Sequence, residues 1–179
     1  MAKNILQGKN ILLRAPEPTD IDFIHKMEND PQIWHFGNTL MPYSHYQIEQ
    51  YILNIQHDIF AEKQVRLMIE TNATGSGRKI VGAIDLFDFD PQHQRAGIGI
   101  LIIQEEREKG YAAEALKLLV EYSFKILQLH QLFCNITADN PASIQLFEKA
   151  GFVPCGLKKE WRLHTNKWVD ELTYQIINK

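Results

Sequence analysis

At 179 residues, 45% hydrophobic and 23% charged, the chain has the composition of an ordinary folded protein, long enough for one domain (residues 1–179) with a sizeable core. A formal net charge of -3, with basic residues scattered rather than clustered, argues against a nucleic-acid-binding surface. The two cysteines, Cys134 and Cys155, have no CxxC or Cys/His spacing, so no metal is expected.

No apolar run approaches the length of a membrane span, and the opening MAKNILQGKN has no signal-peptide core. A cytoplasmic protein without a membrane partner is the expectation.

Residues 10–15 read as a first strand, stopped by Pro16 and Pro18. Thr19 suits a helix N-cap, followed by Ile21, Phe23, Ile24 and Met27 in a helix to about Glu28. Residues 32–43 are irregular and aromatic, with Trp34, His35, Phe36 and Tyr43. Ser44-x-x-Gln47 is a capping-box pattern opening a second helix, with Ile48, Tyr51, Ile52, Ile55 and Ile59 on one face. Alternation over residues 64–70, and the runs 79–88 and 95–103, predict three strands in an antiparallel meander.

The last of these strands leads into Arg107-Glu108-Lys109-Gly110-Tyr111-Ala112 and then a long helix. Ala115, Leu116, Leu119, Val120, Phe124 and Leu127 recur along it at helical spacing. A strand, a glycine loop and a helix N-terminus suit a phosphate, because the first N–H groups of a helix lack partners and carry partial positive charge. Neither the Walker pattern nor the Rossmann fingerprint is present. Another strand follows at 132–138. Asn140 then caps a helix with Pro141 at its first position, and Gly151 ends it. Residues 152–163 and 168–177 form a closing hairpin. The order β-α-α-β-β-β-α-β-α-β-β makes a mixed sheet with helices on its faces, an α/β or α+β arrangement.

Arg107-x-x-Gly110-x-Ala112, and Asn140-Pro141-Ala142-Ser143 followed by Leu146-Phe147 and Gly151-Phe152, resemble the GNAT acetyltransferases over nearly the whole chain. The resemblance is closest to the branch of spermidine/diamine and ribosomal-protein N-terminal acetyltransferases. It implies a mostly antiparallel sheet of about seven strands flanked by four helices. It also implies acetyl-CoA as co-substrate and direct transfer of acetyl to a primary amine, which is a small amine or polyamine or a protein N-terminus. Dimers are common in this branch.

By the same resemblance, the backbone amides of Arg107, Glu108, Lys109, Gly110, Tyr111, Ala112 and Ala113 take the pyrophosphate. The edge at Leu101, Ile102 and Ile103 pairs with pantetheine, and amides near Ile103 suit the oxyanion. Asn140, Ser143 and Phe147 line the pantetheine or thiol end. Gly97 and Gly99 either leave room for close approach or mark a bulge.

An amine acceptor needs a base, directly or through water. Asp85, Asp88 and Glu160 are the candidates. Asp85 and Asp88, three apart, face opposite sides unless a bulge intervenes. Many members of the family place a tyrosine acid where this chain has Phe147, so Ser143 or water is left to protonate the thiolate, whose thiol has a pKa of about 8.5. The loop after the first helix lacks the acidic pair of the polyamine enzymes, and Trp34, His35 and Phe36 are the candidate acceptor wall. The competing reading is a non-catalytic acyl-CoA-binding module, which the missing tyrosine favours.

Overall fold

A computed structural model describes residues 4–34, 40–54, 58–72 and 77–179. Seven strands form one sheet in the order β1-β2-β3-β4-β5-β7-β6, where β1 is Ile11–Arg14, β2 Val65–Thr71, β3 Ile80–Asp90, β4 Arg95–Ile102, β5 Gln131–Thr137, β6 Val153–His164 and β7 Lys167–Ile177. Every neighbouring pair is antiparallel except β4 and β5. The helices are α1 (Ile21–Glu28), α2 (His45–Leu53), α3 (Ile59–Glu62), α4 (Tyr111–Lys125) and α5 (Pro141–Lys149).

Two apolar layers cover the sheet. Ala115, Leu116 and Leu119 of α4 and Phe147 of α5 close over Ile84, Leu86, Ile98 and Leu132. Ile24 and Met27 of α1, with Ile48 and Ile52 of α2, pack over Met68 and Ala83. β3 and β4 thus lie between helices on both faces, which is why they read as nearly continuous apolar runs.

Local chemistry accounts for most boundaries. Ser44 Oγ accepts from Gln47 N–H at 3.2 Å while Gln47 Oε1 accepts from Ser44 N–H at 2.8 Å, the expected capping box. The final hairpin turns on Thr165 and Asn166, both with left-handed backbones (φ 49° and 63°), as a two-residue turn matched to strand twist requires.

Two expectations differ, and the structure decides one that was open. Thr19 is not a cap: Pro18–Asp20 is a 3-10 turn capped by Glu17, and it is held by buried Asp20, whose oxygens accept from Arg14 at 2.7 and 2.9 Å and from Glu17 N–H at 2.8 Å. The second helix stops at Leu53, and Asp58 caps a separate single turn, α3. Ile55 lies outside the described residues. A bulge does intervene in β3, between Phe87 and Asp90, with Asp88 at φ 50°.

Candidate active site

The parallel pair β4 and β5 is joined only at Arg95–Gln131, Ala96–Leu132 and Gly97–Phe133. Gln94 O secures that end, accepting from His130 N–H at 2.7 Å and Gln131 N–H at 3.2 Å. Beyond Gly97 the strands part, leaving two backbone edges facing each other across a wedge that opens toward their C-terminal ends. Ligands of sheets with parallel strands sit at such ends.

Strand alternation decides which groups face the wedge. Ile103 N–H donates to Val81 O at 3.0 Å, so Ile103, Leu101 and Gly99 direct their backbone groups to β3. Ile98, Ile100 and Ile102 direct theirs away from β3; the N–H of Ile98 closes the last pair of the joint on Phe133, which leaves its carbonyl and the groups of Ile100 and Ile102 to the wedge. Of the expected edge at Leu101, Ile102 and Ile103, Leu101 and Ile103 turn their backbone groups to β3 and Ile102 faces the wedge, next to Ile100. The carbonyl of Ile102 accepts from Arg107 Nε at 3.1 Å, which ties the following loop to the end of β4.

The start of α4 stands at the mouth of the wedge. Gly110 is its N-cap at φ 84°, a backbone that a side chain would strain, and no side chain caps the helix. Glu114 N–H makes the first bond of the helix, to Gly110 O at 3.2 Å, so the amides of Tyr111, Ala112 and Ala113 precede the ladder. These amides fit an anion such as a pyrophosphate. The N–H of Arg107, expected in the cradle, closes the turn Gln104–Glu106 by bonding Gln104 O at 3.3 Å. Glu106, 7% exposed, pairs with Lys79 and, at 2.9 Å, with Lys109. Those two ammonium groups hold its carboxyl below the usual range.

On the other flank, Asn140 Oδ1 accepts from Ser143 N–H at 3.1 Å and caps α5, so Asn140 and Ser143 stand together where β5 ends. Phe147 does not join them. It is 3% exposed and packs edge-to-face on Phe152, with centroids 5.0 Å apart, in the core under α5. Tyr174, 4% exposed, donates to Glu148 at 3.0 Å and is structural. Cys134 is buried, and burial pushes its thiol up to about 12, which leaves it inert.

A cavity of about 360 Å³ opens between α1, α2 and the β2–β3 pair, lined by Ile24, Glu28, Tyr43, Gln47, Ile48, Tyr51, Gln64, Val65, Arg66, Asp85, Leu86 and Phe87. It abuts the apex of the wedge, because Asp85 pairs with Gly99 and Phe87 with Gly97. A side chain at Gly97 would meet the Phe87 ring at 2.3 Å, whereas one at Gly99 would meet only that ring's edge, at 3.8 Å. Gly97 makes room for Phe87, and Gly99 leaves the cavity open toward the strand.

Arg66, which sequence reading passed over, organises this cavity. Its guanidinium grips both oxygens of Asp85, at 2.8 and 3.0 Å, and reaches Glu28 at 2.5 Å. Burial opposes its charge, but Asp85 and Glu28 outweigh that and its pKa lies above the usual arginine value. Both Asp85 oxygens are thus committed, which disfavours Asp85 as a base. Asp88 is exposed on the bulge and does not line the cavity. Glu160 is exposed on a second bulge, in edge strand β6 at φ 47°, with its N–H bonded to Asp170 at 2.8 Å. Neither lines the cavity. Trp34 spends its indole N–H on Glu28 O at 2.9 Å and does not line the cavity; Tyr43 and Tyr51 do. His35 and Phe36 lie outside the described residues. Among the described residues, no group of three or more His, Cys, Asp or Glu could hold a metal ion, and no helix is long and apolar enough to cross a membrane.

Residues 10–153 match the family model described as the Acetyltransferase (GNAT) domain. The spermidine N(1)-acetyltransferase of Vibrio cholerae is 29% identical over 149 residues, covering 83% of this chain and 82% of that protein. The corresponding enzyme of Escherichia coli K12 is 28% identical over 143 residues, 80% and 73% of the two chains. A crystal structure of spermidine N-acetyltransferase from Vibrio cholerae, in complex with CoA and spermine, superposes with a TM-score of 0.83 at 26% identity, covering 95% of this chain and 96% of that one.

Proposed function

Since the chain belongs to the GNAT acetyltransferase family and is an N-acetyltransferase using acetyl-CoA, we propose that the wedge between β4 and β5 holds the co-substrate and the cavity under α1 and α2 receives the amine. The observation that carries this reading is the juxtaposition of the two at Gly97 and Gly99. Acetyl-CoA supplies an activated acyl group as a thioester. The α4 amides from Glu108 to Ala113 hold its pyrophosphate, and the wedge-facing edge of β4 pairs with the pantetheine amides.

The amide of Ile100 is the donor on offer to the acyl oxygen. Asp85 and Glu28 attract the amine as its ammonium, and Arg66 fixes their direction. With Asp85 gripped by Arg66 and Asp88 and Glu160 off the cavity, the ammonium gives its proton to water. Ser143, standing beside the cap of α5, or water returns a proton to the thiolate. A homodimer is part of the proposal. Trp161, Leu163 and Trp168, each at least 57% exposed on β6 and β7, are the apolar surface open to it.

The test is CoA release from acetyl-CoA in the presence of amines and peptide N-termini. Release with at least one acceptor, abolished when that acceptor is omitted, is the expected result. Binding of CoA without release for any acceptor would return the chain to the acyl-CoA-binding reading.

A further inference from the structure

We infer that Arg66 sets the charge of the acceptor cavity so that it takes a small primary amine with one positive charge and an aromatic or apolar body, rather than a polyamine. This deepens the proposed function and rests on its placement of the acceptor.

The charged groups lining the cavity are Glu28, Asp85 and Arg66. Two carboxylates against one guanidinium leave a single unit of negative charge, enough for one ammonium. The guanidinium cannot be discharged at any working pH, and with both Asp85 oxygens and Glu28 in its grip it cannot swing away without leaving two partly buried carboxylates bare. A polyamine brings two or more further charges into the same space, and each needs a counter-charge of its own.

Among the described residues, the cavity lining holds no carboxylate beyond Glu28 and Asp85. From residue 31 to residue 48, the stretch joining α1 to α2 and running into the latter, the chain has no aspartate or glutamate. Asp58 and Glu62 line a separate cavity of about 250 Å³, which meets the first at Tyr51, Gln64, Val65 and Arg66. Asp58 there accepts from Phe60 N–H at 2.9 Å as the cap of α3. The rest of the acceptor cavity is aromatic and apolar: Tyr43, Tyr51 and Phe87 present ring surface, and Ile24 and Ile48 fill between them. Ring faces attract a single cation and also bury an apolar body. About 360 Å³ lies near the lower end of small-ligand sites and suits a compact amine.

The experiment follows CoA release with phenethylamine, tyramine, putrescine, spermidine and a short peptide with a free N-terminus, for the wild-type protein and Arg66→Met. The expected result is a kcat/KM at least about tenfold higher for phenethylamine than for spermidine, with the ratio shifted at least about tenfold toward spermidine by Arg66→Met. A wild-type preference for spermidine or putrescine, turnover of the peptide alone, or an Arg66→Met variant that changes all amines alike overturns the inference while leaving the acetyltransferase reading standing. No release with any amine overturns both. If Arg66→Met loses its cooperative melt, Glu28→Gln replaces it, since the Arg66–Asp85 pair survives and the cavity becomes neutral. The KM for phenethylamine then rises about tenfold, and an unchanged KM overturns the inference.

Discussion

Asp85 illustrates how a neighbour assigns a side chain its work. Both of its oxygens accept from Arg66, so in the proposed reaction it serves as a fixed negative charge. Where water takes the proton, as proposed, the rise of kcat/KM with pH follows the acceptor's own ammonium. Asp85→Asn is expected to raise the KM for the amine about tenfold or more while leaving the position of that rise unchanged, in pH–rate profiles of both proteins. Disappearance of the rise in the variant would restore Asp85 as the base. At this scale the sequence was only half informative. Asp85 was recognisable as a strand carboxylate, but Arg66 looked like one more polar residue in an alternating strand. They are a pair because β2 and β3 meet in the register Arg66–Asp85, and nothing local in either strand specifies that register.

At the level of single elements, caps made the starts of α2 and α5 legible: Ser44, Asn140 and Pro141 act through their own neighbours. What was not legible depends on partners far along the chain. Single-turn α3 is too short to show a period, and the wedge-facing set Ile98, Ile100 and Ile102 follows from a bond made by Ile103 to β3. The α4 cradle rests on Gly110, and Gly110→Ala meets no neighbour within 4 Å yet must keep φ at 84°. A loss of about 1–2 kcal/mol in a denaturant titration is expected, with a higher KM for acetyl-CoA.

The β6–β7 hairpin carries another buried charge. Glu171, 2% exposed, accepts from Lys158 and Arg162, each at 2.9 Å. Burial pushes its pKa up, but the two cations outweigh this and hold it below the ordinary value of 4.5. A carboxyl depressed on folding contributes stability that is full above its unfolded pKa and is lost as pH falls through the folded one. Glu171→Gln therefore costs about 2 kcal/mol at neutral pH and flattens the decline in melting temperature from roughly pH 5 to pH 3, measured side by side with the parent protein.

For the whole molecule, the seven-stranded mixed sheet with helices on both faces was accessible from element order and the Arg107–Ala112 and Asn140–Ser143 motifs. The acceptor cavity was not, because it is made by α1, α2, β2 and β3 together, and its aromatic lining comes from Tyr43 and Tyr51 rather than Trp34. A co-substrate that bridges both flanks of the wedge binds the folded chain and not the unfolded one. Acetyl-CoA at about one hundred times its Kd is expected to stabilise the fold by about 2.7 kcal/mol, read as a rise in melting temperature that Gly110→Ala diminishes.

The three-pair joint between β4 and β5 has a consequence for how the chain assembles. The β2–β4 meander is built from contacts close in sequence, whereas the joint must bring Arg95–Gly97 to Gln131–Phe133 across the whole of α4. Long-range pairing of so few residues repays its loop-closure entropy only after α4 has docked on the meander. The joint is accordingly expected to close after the β2–β4 meander during folding. In native-state hydrogen exchange the β5–β7–β6 block is expected to open as a unit at lower free energy than β2–β4.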